Sequence, residues 1–274
     1  MTPVFVLTNH KGGVGKSTSA TTLAHAFLAI LEKGGITNPR VLLIDTDSQG
    51  HSTLLTTRRK NYDKEDSLYT VLTSPRSHAH EVLLNVCVQS HWHPGLFVLP
   101  AARLLDSTEQ AIAAISGAPY LLQKALEPVL HEFHAVFIDT RPSFSLLTIM
   151  ALVAATDALI PVEPRYLERQ GMMSALEQIY DIRAGWNRPE LNIRGLLITK
   201  MDKRIRGHQD SLEAMRQHSL GQLIYGIIPD TEAVSYAHAQ QMSLLSYDAR
   251  SSASRAYVQV ALQLVKDFYS SGAK

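Results

Sequence analysis

The chain has 274 residues, of which 45% are hydrophobic and 19% are charged. This length and composition suffice for one large domain with a full core, and no apolar run is long enough to span a membrane. A formal net charge of +1 excludes an overall preference for polyanions, so any nucleic acid would have to bind a local patch. The single cysteine, Cys87, excludes an internal disulfide framework and favours a reducing compartment such as the cytoplasm.

Apolar runs and helical patterns alternate along the chain. Continuous runs of Val, Ile and Leu are typical of strands covered on both faces, so we expect a mostly parallel sheet. Strands are predicted at 4–7, 40–45, 96–100, 135–139, 158–162, 194–199 and 223–228. Helices are predicted at 20–28, 119–131, 169–185, 207–218 and 253–269, while 56–95 is weakly patterned. The order predicts one doubly wound, mostly parallel α/β domain over 1–274.

A glycine-rich segment, residues 10–18, separates the first strand from the first helix. Glycines allow backbone N–H groups to converge on an anion, and the N-terminus of a helix favours negative charge. We therefore expect an ATP phosphate site in which Lys16 reaches the β- and γ-phosphates and Ser17 holds Mg²⁺. The predicted cradle comprises Gly12, Gly13, Val14, Gly15, Lys16, Ser17 and Thr18. The glycine usual at the start of such a loop is replaced by His10, and a second lysine, Lys11, follows it.

Acidic residues follow or end two of the predicted strands. Asp45 closes one strand, with Asp47 two residues later, and Asp139 closes another. Ligands of doubly wound sheets bind beyond the carboxyl ends of the strands, so these carboxylates should meet the glycine-rich loop there. Mg²⁺ prefers oxygen ligands, and a carboxylate can orient the attacking water in phosphoryl transfer. The three motifs together predict a site for ATP and Mg²⁺.

Three segments resemble the ParA/MinD superfamily of ATPases. Residues 11–18, Lys-Gly-Gly-Val-Gly-Lys-Ser-Thr, are similar to its deviant Walker A motif. Residues 45–51 resemble its switch segment, Asp-x-Asp-Pro-Gln-Gly-Asn, and residues 137–143 resemble its Walker B region, Ile-Ile-Asp-x-Pro-Pro-Ser. The resemblance covers nearly the whole chain and implies a single P-loop NTPase domain over 1–274, without a helix-turn-helix extension before the first strand. It implies an enzyme that hydrolyses ATP to ADP and phosphate.

The resemblance also implies a role for each matching side chain. Lys11 is the signature lysine, which reaches the phosphates of a second subunit in a homodimer that forms on ATP binding. Lys16 holds the nucleotide, and Asp47 positions or activates the hydrolytic water. The residues implied at Mg²⁺ are Ser17, Asp45 and Asp139, and those implied near the adenine are Asp202 and Pro229.

Three residues depart from the family's pattern. Ser48 and His51 stand where the switch segment has Pro and Asn, in the loop that senses the γ-phosphate. Arg141 replaces the first proline of the Walker B region. An arginine there is expected either to contact the triphosphate or to face the partner subunit.

Dimers of this family bind either DNA without sequence preference or a membrane. Residues 256–269 are apolar on a broad face with Lys266 as their only basic residue, which favours a core-packing helix over a membrane-binding one. Residues 200–208 hold the densest basic cluster, and such a stripe binds phosphates by counterion release. The predicted contacts to double-stranded DNA are Lys203, Arg204, Arg206, Arg216, Arg250 and Arg255.

These features predict a partition ATPase associated with the nucleoid, whose hydrolysis is stimulated by a centromere-binding, ParB-like protein. A ParA-like ATPase that positions another cargo is the main alternative, followed by a MinD-like membrane cycle. Nitrogenase-reductase-like relatives need paired cysteines, which a single cysteine does not supply. Amidase-ligase relatives lack the Asp-x-Asp-x-Gln-Gly pattern of residues 45–50.

Four histidines lie close together around Cys87: His78, His80, His91 and His93. Imidazole and thiolate are the usual ligands of Zn²⁺, so a zinc site is one interpretation. Their spacing matches no familiar zinc finger, which favours ordinary loop histidines.

Overall fold

The computed structural model describes residues 2–102, 105–165, 168–217 and 219–269. The strands are β1 (Val4–Leu7), β2 (Val41–Asp45), β3 (Val88–Gln89), β4 (Leu96–Leu99), β5 (Ala135–Asp139), β6 (Asp157–Val162), β7 (Asn192–Met201) and β8 (Ile224–Pro229). The helices are α1 (Lys16–Lys33), α2 (His51–Thr57), α3 (Leu68–Thr73), α4 (Ala79–Val86), α5 (Leu105–Ala113), α6 (Leu121–Leu126), α7 (Leu146–Ala154), α8 (Glu168–Gly185), α9 (Arg206–Gln217), α10 (Glu232–Ala239), α11 (Leu244–Tyr247) and α12 (Ser252–Tyr269).

The described strands form one eight-stranded sheet in the order β3-β4-β2-β5-β1-β6-β7-β8. All neighbours run parallel except β3, which pairs antiparallel with β4 at the edge. Helices cover both faces, with α1 and α12 on one side and α6, α7 and α8 on the other. The predicted doubly wound, mostly parallel α/β fold is therefore confirmed.

The register of the central strands brings the ends of three of them to one place. Leu7 of β1 and Asp45 of β2 both lie beside Asp139 of β5. Thr46 donates two hydrogen bonds, from its backbone N–H and its Oγ1, to the carbonyl of Asp139, at 3.0 and 2.8 Å. The loops that follow these strands therefore start from one fixed edge.

The C-terminal helix α12 packs on the core, as its broad apolar face predicts. Tyr257 and Leu264 are fully or almost fully buried, and the Tyr257 hydroxyl lies 3.0 Å from Ser19 Oγ on α1. Among the helices that the structure describes, none combines the length and apolar character needed to cross a membrane.

The sequence-based elements differ from the structure in several regions. The helix predicted at 119–131 is divided into α6 and two flanking 3-10 turns. Pro128 has no N–H to donate to the preceding turn, which accounts for the end of α6 at Leu126. The weakly patterned region holds α3, α4 and the unpredicted strand β3. The helix predicted at 207–218 ends at Gln217, and residue 218 lies outside the described residues.

Strand β7 contains a bulge near its start. Ala158 of β6 pairs with Ile193, but Leu159 pairs with Gly195, so Arg194 is an extra residue. Gly195 has φ +153°, and a Cβ there would lie 2.5 Å from the Leu223 carbonyl oxygen. The bulge therefore needs glycine.

Candidate functional site: a phosphate-binding cleft

The glycine-rich loop connects β1 to α1 at the edge described above. Gly13 and Gly15 have φ values of +77° and +85°, which side chains other than glycine rarely adopt, and Gly15 caps α1. Thr199 at the end of β7 donates its hydroxyl to the Val14 carbonyl at 2.8 Å. The loop is therefore held open at the N-terminus of an 18-residue helix, where an anion is favoured.

Lys16 lies inside this loop and is only 6% exposed. Its Nζ donates to the carbonyl oxygen of Lys11 at 2.8 Å, so the ammonium group is held beneath the loop. Burial lowers the pKa of Lys16, while the carboxylates of Asp139 and Asp47 act in the opposite direction. An anion in the loop would give the buried ammonium a counter-charge.

Asp45 organises the segment that follows β2. One carboxylate oxygen accepts the backbone N–H of Asp47 at 3.0 Å, and the other accepts the N–H and the hydroxyl of Thr53, each at 2.8 Å. Both oxygens are thus bound by donors of this chain. Asp45 therefore holds the switch segment and the start of α2 in place. Its carboxylate does not line the P-loop cleft.

Asp139 is fully buried at the end of β5. Its Oδ2 accepts the Ser52 hydroxyl at 2.6 Å, whereas its Oδ1 is buried and has no hydrogen-bond partner among the described residues. Burial raises the pKa of Asp139, and the Ser52 and Ser17 hydroxyls oppose that rise. Burial and the neighbouring Asp139 also raise the pKa of Asp45. An unpartnered carboxylate oxygen near Ser17 suits a hard divalent cation, so these residues fit Mg²⁺.

Asp47 lies in the loop between β2 and α2. Its Oδ1 accepts the N–H of Gln49 at 2.9 Å, and its carbonyl accepts the N–H of Gly50 at 2.8 Å. Gly50 has φ +62° and precedes α2. The turn directs one carboxylate of the switch segment to the wall of a cleft that the P-loop also lines.

The cleft has a volume of about 900 Å³, which is large enough for a nucleotide. Of the predicted residues it is lined by Gly12, Gly13, Gly15, Lys16, Ser17, Thr18, Asp47 and Arg141. Residues not predicted also line it, namely Leu54, Leu55, Thr140, Pro142, Ser143, Lys200, Val234, Ser235, His238 and Ala239. Four of these residues lie on α10, which follows the carboxyl end of β8. Because ligands of such sheets bind beyond the carboxyl ends of the strands, this position could have indicated them.

Arg141 lies in the cleft wall with its Nη1 3.4 Å from Glu109 Oε2 on α5. The other oxygen of Glu109 accepts the backbone N–H of Leu146 at 2.6 Å, at the start of α7. The arginine is thus anchored within its own subunit, at the cleft rather than on a remote surface.

The two residues implied near the adenine do not line this cleft. Asp202 and Pro229 line a second cleft of about 1000 Å³ between α9, β8 and the start of α12. Arg204 donates to the Asp202 carboxylate through Nη2 at 2.8 Å, and these hydrogen bonds lower the pKa of Asp202 to about 2. A carboxylate already bound by an arginine has little capacity left for a base.

The six predicted DNA contacts are all exposed, but they do not form one free basic stripe. Lys203, Arg204 and Arg216 line the second cleft together with Asp202 and three further acidic residues, Asp210, Glu213 and Asp230. Arg206 lies 3.9 Å from Asp210, while Arg250 and Arg255 flank Ser252, which lines the same cleft.

The histidines around Cys87 are bound separately. His93 Nε2 lies 3.1 Å from Glu32, and both ring nitrogens of His91 lie 2.9 Å from backbone carbonyl oxygens. Within the described ranges, no three His, Cys, Asp or Glu side chains are grouped to hold a metal ion. Burial raises the pKa of the Cys87 thiol to about 12, which disfavours the thiolate that zinc requires.

Replacing Asp139 with asparagine should stabilise the nucleotide-free protein while weakening its response to Mg²⁺. A carboxyl whose pKa is raised on folding binds its proton more tightly when folded, so stability falls as the pH rises above the unfolded value. At neutral pH the variant is therefore expected to melt about 2 °C or more above the wild type, and the difference should shrink in acid. Thermal melts across pH measure this.

The exposed Asp63→Asn exchange is the control, since Asp63 has a side chain that is 83% exposed. Asp139→Asn should also lose the extra stabilisation that Mg²⁺ adds to ATP. If Asp139→Asn melted below the wild type at neutral pH and above it in acid, the raised pKa of Asp139 would be contradicted.

Comparisons with known proteins agree with this geometry. Residues 2–193 match a family model described as an AAA domain. An uncharacterized protein of Pseudomonas putida is 34% identical over 97% of this chain and 95% of its own length. The chromosome partitioning protein ParA of Caulobacter vibrioides is 31% identical over 96% and 93%, and the chromosome-partitioning ATPase Soj of Thermus thermophilus is 32% identical over 94% of each chain.

Three solved structures share the fold. Cobyrinic acid a,c-diamide synthase from Mycobacterium smegmatis, with bound ADP and magnesium, has a TM-score of 0.75 at 25% identity and covers 99% of this chain and 97% of its own. McdA of Cyanothece reaches 0.79 at 19% identity, with 97% and 100% covered. MinD of Pyrococcus horikoshii, complexed with Mg-ADP, reaches 0.71 at 17% identity and covers 100% of both chains.

Nucleotide and magnesium in two of these structures are consistent with ATP and Mg²⁺ as the ligands here. The P-loop, the carboxylates at the ends of β2 and β5, and relatives of about 30% identity over nearly the full length point the same way. The chain belongs to the ParA/MinD family of partition-type P-loop ATPases.

Proposed function

We propose that this protein segregates a plasmid or chromosome by an ATP-driven cycle. ATP binding in the P-loop cleft forms a homodimer, and the dimer binds double-stranded DNA without sequence preference. A centromere-binding, ParB-like protein stimulates hydrolysis, which releases the DNA. The names of the Caulobacter and Thermus relatives support a role in partition, and the cleft geometry supports ATP hydrolysis.

The position of Lys11 is the observation that best supports the proposed homodimer. Its backbone is fixed at both ends, because its N–H donates to Asn9 Oδ1 at 3.0 Å and its carbonyl accepts the ammonium of Lys16. Its side chain is exposed and does not line the cleft of its own subunit. A loop whose backbone is fixed and whose lysine side chain is exposed is suited to contact the phosphates of a second subunit.

A gel-shift series with unrelated DNA tests the cycle. We expect retardation with ATP, and little with ADP or without nucleotide. Lys11→Ala should bind ATP but remain monomeric and leave the DNA unshifted, whereas the exposed Lys33→Ala control on the far end of α1 should behave as wild type. DNA binding that is the same with ATP, with ADP and without nucleotide would refute the proposal. A Lys11→Ala protein that forms dimers would also refute it.

The basic residues after β7 are proposed to contact DNA phosphates. Replacing Arg204 and Arg206 with alanine should weaken DNA binding and reduce the slope of log affinity against log salt by about two, since each phosphate contact contributes about one. ATP turnover measured without DNA should be unaltered. A control variant with both Lys33→Ala and Lys124→Ala also removes two positive charges, from distant exposed positions. It should leave the slope unchanged. An equal loss in both double variants would assign the effect to net charge alone.

The likeness to a cobyrinic acid a,c-diamide synthase favours a second candidate, an ATP-dependent ligase for a small carboxylic acid. The two functions differ in what stimulates ATP turnover. A partition ATPase responds to DNA and its centromere-binding partner, whereas a ligase responds to its carboxylate and an amide donor. Unchanged DNA inheritance in cells lacking the protein would instead favour a ParA-like ATPase that positions another cargo.

A further inference from the structure

Residues 140–145, which we call the Arg141 segment, connect β5 to α7 and form one wall of the P-loop cleft. Four of them line the cleft: Thr140, Arg141, Pro142 and Ser143. The segment is tied to β1 at its start, because the Thr140 hydroxyl donates to the Leu7 carbonyl at 2.7 Å. Its middle packs on the P-loop, since a Cβ added to Gly12 would lie 3.9 Å from the Pro142 side chain.

Glu109 on α5 holds the other end of this segment. Its Oε1 accepts the backbone N–H of Leu146, the first residue of α7, at 2.6 Å. The residue before a helix normally supplies an acceptor for one of the first N–H groups. Here the hydroxyls of Ser145 and of nearby Ser143 are buried without a hydrogen-bond partner among the described residues. The start of α7 is therefore capped by a carboxylate from a distant part of the chain.

The same carboxylate also reaches Arg141. Glu109 Oε2 lies 3.4 Å from Arg141 Nη1, and each side chain is only 21% exposed, so the ion pair is largely shielded from water. One oxygen of Glu109 thus binds the backbone of α7, and the other faces the guanidinium. Because the first hydrogen bond fixes where the carboxylate lies, the ion pair restricts the direction in which the arginine points.

The place of Arg141 in the cleft identifies the anion that it can bind. A guanidinium offers a fixed fork of N–H donors that matches the oxygens of a phosphate group. Arg141 follows Asp139 by two residues, and Asp139 with Ser17 forms the part of the cleft that fits Mg²⁺. Mg²⁺ bridges the β- and γ-phosphates in phosphoryl transfer, so Arg141 lies at the end of the cleft where the terminal phosphate of ATP would be bound.

We propose that Glu109 is a positioning residue that aims Arg141 at the terminal phosphate of ATP in the P-loop cleft. The proposal rests on the proposed function in one respect, that ATP binds this cleft. Removing the charge of Glu109 should weaken ATP binding, because the guanidinium is no longer held toward the phosphate. A carboxylate that only repelled the triphosphate would have the opposite effect, with tighter ATP binding after its removal. ADP lacks the terminal phosphate, so its binding should change little.

Isothermal titration with Mg-ATP and with Mg-ADP tests this role. Arg141→Gln is expected to weaken ATP binding about tenfold, the equivalent of one charge-assisted hydrogen bond, and ADP binding less than about twofold. Glu109→Gln keeps an acceptor for the Leu146 N–H and removes only the charge. It should therefore keep the wild-type melting temperature and still show the loss seen in Arg141→Gln. Glu132→Gln is the matched control, because Glu132 pairs with Arg40 and neither residue lines the cleft.

The double variant Glu109→Gln/Arg141→Gln separates positioning from an independent effect of Glu109. If Glu109 acts through Arg141, the double variant should bind ATP no more weakly than Arg141→Gln alone. Losses that multiply in the double variant would overturn the proposal, and so would an equal loss of ADP affinity in the single variants. A Glu109→Gln protein that binds ATP as tightly as the wild type, or more tightly, would also overturn it.

The same titrations distinguish a failure of this proposal from a failure of the proposed function. A wild-type protein that binds no ATP would refute both. Wild-type ATP binding that is unaffected by Glu109→Gln would refute only the positioning role. ATP binding that depends on Glu109, in a protein that never binds DNA, would refute the partition cycle and support the positioning role.

Discussion

Lys16→Ala is expected to abolish ATP binding, with the dissociation constant rising at least about a hundredfold. The ammonium of Lys16 is almost fully buried in the P-loop, and within the described part of the chain it donates to the carbonyl oxygen of Lys11. Phosphate oxygens would supply charged acceptors that hydrogen-bond directly to this ammonium group, and charge-assisted hydrogen bonds of this kind are the strong ones. Equilibrium titration with a fluorescent ATP analogue measures the loss.

Lys33→Ala on the same helix is the matched control, because Lys33 is exposed at the opposite end of α1. Circular dichroism should show that both variants keep the fold. Removing the buried charge relieves a desolvation penalty, so a folded Lys16→Ala protein is expected. Affinity within a few fold of wild type would show that the cleft is not a phosphate site.

Asp47→Ala should bind ATP with near wild-type affinity and lose at least about a hundredfold in turnover, as expected when a group that orients or deprotonates the attacking water is removed. The carboxylate lines the cleft from the switch segment, and its Oδ1 accepts the Gln49 N–H. Single-turnover hydrolysis of ATP, with binding measured in parallel, separates the chemical step from affinity.

Asp47→Asn distinguishes two roles for the same side chain. Asparagine keeps an acceptor for the Gln49 N–H, so it preserves the turn but removes the negative charge. Loss of turnover in both variants assigns the role to the charge, whereas loss only in Asp47→Ala assigns it to loop geometry. The exposed Asp63→Ala exchange should leave turnover unchanged, and wild-type hydrolysis by Asp47→Ala would exclude the residue from the reaction.

The parallel sheet could be predicted because its strands are buried on both faces. β2 and β5 consist of unbroken apolar residues closed by Asp45 and Asp139, and no competing helical period obscures them. The P-loop was predictable for a related reason, since Gly13 and Gly15 adopt backbone angles that only glycine tolerates well.

Contacts between distant parts of the chain were not predictable in the same way. Nothing in the local pattern joins Arg141 to Glu109, which lies on α5 earlier in the chain. The wall formed by α10 was missed for the same reason. The short helices α3 and α4 carry too few turns for a helical period to be visible, and packing defines them instead.

The extra residue in β7 determines which face of the sheet the side chains after it occupy. Side chains in a strand alternate between faces, so an insertion at Arg194 reverses the parity of the residues that follow it against β6. With this parity, Thr199 donates its hydroxyl to the Val14 carbonyl of the P-loop. Without the extra residue, Thr199 would face the other side of the sheet, and the P-loop would lose this hydrogen bond.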